Sequence, residues 1–341
     1  MQLKYNFLRS TYNRLSNIFN IPLLLGCLLI LNLFSMTGCD VKIEKKITEN
    51  EKIRVVTTIG MITDIVKNIG GDRLEVIGMM GPGVDPHLYK PTAKDIERLS
   101  SANIIFYNGL HLESKMGDIL ERFSKNTKSV AVAEGVDKNL LLTPPEFDGQ
   151  YDPHIWFDIS LWIKAVEVVR DTLVAYNPES ESTYAANTDQ YILKLNELQK
   201  YVKTQSERVP TDRRILVTAH DAFNYFGNAY GFEVQGLQGM STVTEAGIAD
   251  VKELATFIAK RKIPAIFVES SVPVRSLEAV KAAVKSKGFD VQIGGELFSD
   301  AMGNEGTPEG TYIGMVKHNI DTIVSALIGK TAVEDSLSKE Q

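Results

Sequence analysis

The chain has five histidines in 341 residues, and two of them share one five-residue setting. His87 lies in Asp85-Pro86-His87-Leu88-Tyr89, and His154 lies in Asp152-Pro153-His154-Ile155-Trp156. Proline restricts the backbone before each histidine. Each aspartate is placed where it could accept a ring N–H, the usual partner for the second nitrogen of a metal-binding imidazole. His220 closes the apolar run Ile215–Ala219, and Asp300 ends Glu296-Leu297-Phe298-Ser299-Asp300. Three neutral imidazoles and one carboxylate make a four-ligand, all-protein site with net charge +1 around a divalent ion. The spacings of 67, 66 and 80 residues are too wide for a local motif, so folding must assemble the set. Glu269, after Ala265–Val268, and Glu245 could each orient a ligand, with loop capping as the competing role. His111 and His318 read as structural. Gly60 and Gly294-Gly295 form neither GxGxxG nor GxxxxGK, so a phosphate loop is not indicated.

All four candidates fall where an expected strand runs out into a loop. Strands are expected at 53–59, 74–80, 104–107 and 129–132, with helices at 61–69, from Thr92, at 112–123 and at 160–176. The second half repeats the rhythm, with strands at 215–218, 232–235, 265–268 and 291–293. Its helices are expected at 222–230, 248–260, 276–285 and 309–327. Strands alternating with helices indicate parallel α/β sheets, whose ligands bind outside the carboxyl ends of the strands. Between the halves lies a long helix. Asn177-Pro178 starts it, Tyr184, Tyr191, Leu195, Leu198 and Val202 form one stripe, and Pro210 ends it. The fold class is therefore α/β, with two lobes of parallel sheet flanked by helices and joined by one long rigid helix. The expected boundaries are 51–177, 178–209 and 210–330, with a tail at 331–341. A spine without Gly or Pro between Glu179 and Val209 predicts small, shear-like lobe movement. Release is then expected from ligand loops near His220 and Asp300.

The first residues read differently. Lys4, Arg9 and Arg14 precede a 14-residue apolar run, Ile21–Phe34, which suits a signal-peptide core better than a membrane span. Met36-Thr37-Gly38-Cys39 resembles a bacterial lipobox, which implies cleavage of 1–38 and lipidation of Cys39. Residues 39–50 then read as a tether. Cleavage removes three basic residues and no acid, leaving 34 basic against 43 acidic residues, a net charge of −9. That surface argues against nucleic acid. Cys27 would be lost with the leader, so the mature chain has no Cys-based zinc site, disulfide or free-thiol nucleophile.

Taken together, these segments resemble the metal-binding receptor lipoproteins of bacterial ABC importers, the cluster A-I or TroA-type group. GVDPHLYKPTAKDI, NGLHLE and DPHIWFD carry the resemblance in the first half. VTAHDAFNYFGNAYG, PAIFVESSVP and GGELFSDAMG carry it in the second. It implies two α/β lobes on one long helix, with one divalent ion, manganese or zinc, at their interface. The implied ligands are His87, His154, His220 and Asp300, with Asp85, Asp152 and Glu269 behind them. It also implies a monomeric, lipid-anchored protein on the extracytoplasmic face of the membrane, delivering metal to a permease with a cytoplasmic ATPase. Zinc-dedicated members often carry a His-rich loop, and 134–152 holds no histidine. A carboxylate that can turn bidentate also suits manganese, so manganese is favoured over zinc. A zinc hydrolase using the same four ligands is the alternative, and a surface adhesin a weaker third, supported by the anchor alone.

Overall fold

The β-branched run at Ile53 becomes strand β1 (Ile53–Thr57), followed by helix α1 (Gly60–Gly70) and strand β2 (Leu74–Gly78). This is a computed structural model, and it describes residues 52–147 and 149–328. The expected leader, Cys39, the 39–50 tether and the 331–341 tail lie outside the described residues. Thr92 opens α2 (Ala93–Ser101) with a capping box. Its hydroxyl accepts the Asp95 N–H at 3.3 Å, and Asp95 Oδ2 accepts the Thr92 N–H at 2.8 Å. β3 (Ile104–Tyr107), α3 (Gly117–Ser124) and β4 (Lys128–Ala131) follow. The four strands pair in parallel in the order β2-β1-β3-β4. Helix α3 begins later than the expected Leu112. Gly109, Leu110 and His111 have φ of 85°, 51° and 65°, a left-handed turn that cannot enter a right-handed helix.

Asp158 caps α4 (Ile159–Tyr176) by accepting the Ser160 N–H at 2.8 Å. Asn177 and Pro178 then lead through a tight turn, Pro178–Ser180, into α5 (Glu181–Glu207). This is the long helix, about 40 Å at 1.5 Å per residue. Its buried face holds the expected stripe of Tyr184, Tyr191, Leu195, Leu198 and Val202, together with Thr188 and Ser206. Thr188 is tolerated there because its hydroxyl donates to the Tyr184 carbonyl one turn back, at 2.7 Å. Tyr191 Oη donates to Asp64 Oδ2 at 2.6 Å and ties α5 to α1.

Beyond α5 the elements are β5 (Ile215–His220), α6 (Asn224–Tyr230), β6 (Glu233–Gln238), α7 (Ile248–Arg261), β7 (Ala265–Glu269), α8 (Arg275–Ser286), β8 (Gln292–Leu297) and α9 (Tyr312–Ile328). β5 pairs with β6 and β7 with β8, all parallel. Val217 of β5 and Ile266 of β7 share one core with Leu254 and Ile258 of α7 and with Leu277 and Val280 of α8. α9 returns to α4, where Tyr312 stacks on Trp162 with ring centroids 5.6 Å apart. The parallel α/β architecture on a long helix agrees with the expected fold class. Among the described residues, no helix is long and apolar enough to cross a membrane.

The face of α5 gives a direct test. Leu195 is 0% exposed, whereas Leu193, two residues earlier, is 58% exposed. Leu195→Ala should lower unfolding free energy by about 2–5 kcal/mol, and Leu193→Ala by no more than about 0.5 kcal/mol. Urea denaturation of the two variants measures both, and equal losses would contradict the assigned face.

Candidate metal centre

Two of the candidate residues sit at or just past a strand end, and the other two lie in loops. His87 lies in the loop after β2, and His154 heads the tight turn Ile155–Phe157. His220 is the last residue of β5, and Asp300 follows just past β8. Gly236 of β6 allows the close approach at His220, since a Cβ there would lie 2.6 Å from the His220 carbonyl carbon. The fold brings these four together. The imidazole centroids are 5.4 to 6.0 Å apart. One ligand atom from each of the four residues lies within 4.8 Å of all the others. Asp300 Oδ1 is 3.4 Å from His154 Nε2, and Oδ2 is 3.2 Å from His220 Nε2 and 3.7 Å from His87 Nε2. All four residues are at most 2% exposed. The three Nε2 atoms and both Asp300 oxygens are buried with no hydrogen-bond partner. Buried polar atoms are ordinarily paired, so five converging orphans fit a divalent ion that would satisfy all of them.

Carboxylates stand behind two of the rings. Asp152 Oδ1 is 2.7 Å from His154 Nδ1 and also accepts the His154 backbone N–H. Glu269 Oε2 faces His220 Nδ1 at 2.7 Å. Glu269 also acts as a cap, because its Oε1 accepts the backbone N–H groups of Ala219 and His220. Both arrangements turn Nε2 toward the centre. Asp85 behaves differently from its sequence twin. Its Oδ1 accepts the His87 backbone N–H at 2.8 Å, closing an Asx turn. Its Oδ2 accepts the Thr242 hydroxyl at 2.5 Å. Glu245 and His111 are exposed and stay outside the cluster, and His318 Nε2 instead meets the Glu296 carbonyl at 3.0 Å. Sequence reasoning missed Asn224, Tyr225 and Thr242, which reach these carboxylates or their backbone from the second half. No local pattern marks them, because each partner is distant in sequence.

Electrostatics divides the rings. Burial alone would discharge His154, but the carboxylates of Asp152 and Asp300 outweigh it and raise its pKa to about 9. Burial is likewise outweighed at His220, which Glu269 and Asp300 hold well above 6.5. Burial dominates at His87, pushing it down to about 3 against the pull of Asp300. Asp300 resists its own burial through the charges of His220 and His154 and stays well below the usual carboxylate range. Metal binding requires neutral imidazoles, so near neutrality it should expel protons from His154 and His220. Affinity should rise as pH increases from 7 to 9. Without cargo the sign reverses. The two raised groups stabilise the fold fully below about pH 6.5; the His154 contribution is lost as pH rises through about 9, and that of His220 as pH rises through its own raised pKa. Calorimetric titration in buffers of different ionisation heat measures the proton release. A buffer-independent heat would contradict it.

Residues 55–326 match the family described as zinc-uptake complex component A, periplasmic (ZnuA). The zinc-binding protein TroA of Treponema pallidum (strain Nichols) is 50% identical over 302 residues, spanning 88% of this chain and 97% of that protein. The manganese-binding lipoprotein MntA of Bacillus subtilis (strain 168) is 45% identical over 295 residues, spanning 86% and 95%. Among solved structures, the periplasmic zinc-binding protein TroA from Treponema pallidum aligns with a TM-score of 0.80 and 52% identity. That alignment covers 81% of this chain and 99% of that one. With most of its length matched in sequence and in fold, the chain belongs to the ZnuA family of periplasmic zinc-uptake components.

Proposed function

We propose that this protein captures one divalent transition-metal ion outside the cytoplasm and hands it to the permease of an ABC transporter, with His87, His154, His220 and Asp300 as ligands. The observation that carries the assignment is the set of five buried, unpartnered atoms converging from four residues. Three nitrogens and two carboxylate oxygens form an N/O donor set. Both Asp300 oxygens face the imidazoles. A bidentate carboxylate raises the coordination number beyond the four of tetrahedral zinc, which supports manganese first and zinc second. Asp152 and Glu269 would fix the ring orientations, and Asp85 the backbone of the His87 turn. On this reading 51–177 and 210–330 are the two lobes, each contributing two ligands, with 178–209 between them. The protein is a solute-binding component and not an enzyme, as its family membership shows.

Because both lobes contribute, metal should stabilise the folded chain by mass action, by about 4 kcal/mol at a thousandfold excess over Kd. His154→Ala or Asp300→Ala should abolish the metal-dependent rise in melting temperature. If all four single alanine variants keep that rise, the ligand assignment fails. Equilibrium competition of manganese and zinc on stripped protein ranks the ions in vitro. In cells, the manganese preference fails if deleting the gene leaves manganese uptake unchanged.

The anchor rests on the sequence at Met36–Cys39 and on the naming of the Bacillus relative as a lipoprotein. We propose that the mature chain is a monomer held at the membrane through lipidated Cys39. Labelled fatty acid should enter the wild-type protein and not Cys39→Ser. Equal labelling of both would remove the assignment.

A further inference from the structure

The two first-half histidines are braced unequally. Around His154, Asp152 Oδ2 accepts Asn224 Nδ2 at 3.0 Å, and the Asp152 carbonyl accepts Tyr225 Oη at 2.9 Å. Two residues on, Trp156 Nε1 donates to the Ser299 carbonyl at 3.0 Å, and the Trp156 carbonyl accepts Tyr312 Oη at 2.6 Å. The His154 loop is therefore tied to α6, to the Asp300 loop and to α9. His220 and Asp300 are equally confined. His220 ends a strand whose last N–H groups are held by Glu269, and Ser299, beside Asp300, is 0% exposed.

The His87 loop is different. Among the described residues, Thr242 is the one second-half side chain that donates a hydrogen bond to it, through Asp85 Oδ2 at 2.5 Å. The other Asp85 oxygen holds the His87 N–H. One carboxylate thus links the Thr242 hydroxyl to the backbone that carries a ligand ring. Thr242 is 5% exposed, but its neighbour Val243 is 44% exposed and Leu88 is 47% exposed, so the link sits just under the surface. It lies in an irregular segment between β6 and α7. A groove lined by Asp85, Leu88, Thr242 and Pro273 opens beside it.

We propose that Thr242 is a positioning residue for His87, and that breaking the Thr242–Asp85 hydrogen bond is the step that lets the ion exchange. This rests on the ligand assignment above. It moves the exchange edge away from the His220 and Asp300 loops, where the sequence pointed, because those loops are the more firmly tied. A hydrogen bond to a charged acceptor is a strong one, and here it spans the two halves. Its loss frees the Asp85 carboxylate to turn, and the His87 backbone turns with it.

The test is metal release from full-length zinc-loaded protein in detergent, followed by stopped flow with excess chelator. Thr242→Val keeps the side-chain shape and removes the donor. It should release metal about tenfold faster or more, with only a modest fall in the metal-free melting temperature from the Asp85 oxygen left unpaired. Thr242→Ser should restore the slow rate. Ring resonances of His87 should change in the Val variant while those of His154 and His220 hold. If Thr242→Val misfolds, Thr242→Ala makes the same comparison. Release within about twofold of wild type in the variant lacking the hydroxyl overturns the proposal. Failure of the ligand assignment shows separately, as metal retention by His154→Ala equal to that of the wild type.

Discussion

Asp300 is 1% exposed, and neither of its carboxylate oxygens has a hydrogen-bond partner. A charge so placed is tolerated only beside opposite charge. The three surrounding imidazoles can supply it as protons, or a divalent ion can supply it directly. Exchanging the protons of two imidazoliums, His154 and His220, for one divalent cation leaves the total charge unchanged. The carboxylates behind those rings serve both conditions, balancing imidazolium in one and fixing the tautomer in the other. On the proposed ligand set, the site would change occupant without changing the electrostatic load on the fold.

The sheets exist, at this end, to hold that carboxylate and its neighbours in register. β5 delivers His220 at its last residue, and β7 delivers Glu269 at its last residue. Glu269 joins the two strand ends by accepting N–H groups that a further strand would otherwise take. One side chain therefore closes the backbone with one oxygen and places the other 2.7 Å from a ring nitrogen. The first half relies on turns instead. Both Asp-Pro-His segments close the same Asx geometry, yet only Asp152 also reaches its own histidine ring. Asp85 spends its second oxygen on Thr242, which makes the two halves of a repeated motif unequal in the folded molecule.

Much of this was legible in the sequence because it follows short-range rules. The stripe on α5, the Thr92–Asp95 box and the β-branched runs all announce themselves within a few residues. The site was legible for another reason: histidine is rare here and two of them share one setting, although the expected placement at strand ends holds only for His220 and Asp300, with His87 and His154 in loops. Element boundaries slipped where backbone handedness intervened, as at Gly109–His111 ahead of α3. What sequence could not show were the contacts across the interface. Thr242 and Asp85 are 157 residues apart, and Trp156 and Ser299 are 143 apart. Threonine and serine in polar loops carry no local signal of a distant partner. The same holds for Glu269, for which capping and orienting looked like alternatives: one oxygen caps the end of β5, and the other lies 2.7 Å from the His220 ring.

The spread of the ligands also bears on how such a chain matures. Asp300 follows the last strand, and its neighbour Ser299 is held by Trp156 from the other half. No fragment ending before that strand contains the carboxylate that draws the imidazoles together. A chain emerging unfolded from an export channel would therefore pass through its whole synthesis with scattered histidines and little grip on metal. On the proposed ligand set, acquisition of cargo would be the last act of biogenesis, reserved for molecules that have completed their fold, and an incomplete chain would not sequester the ion its cell is trying to import.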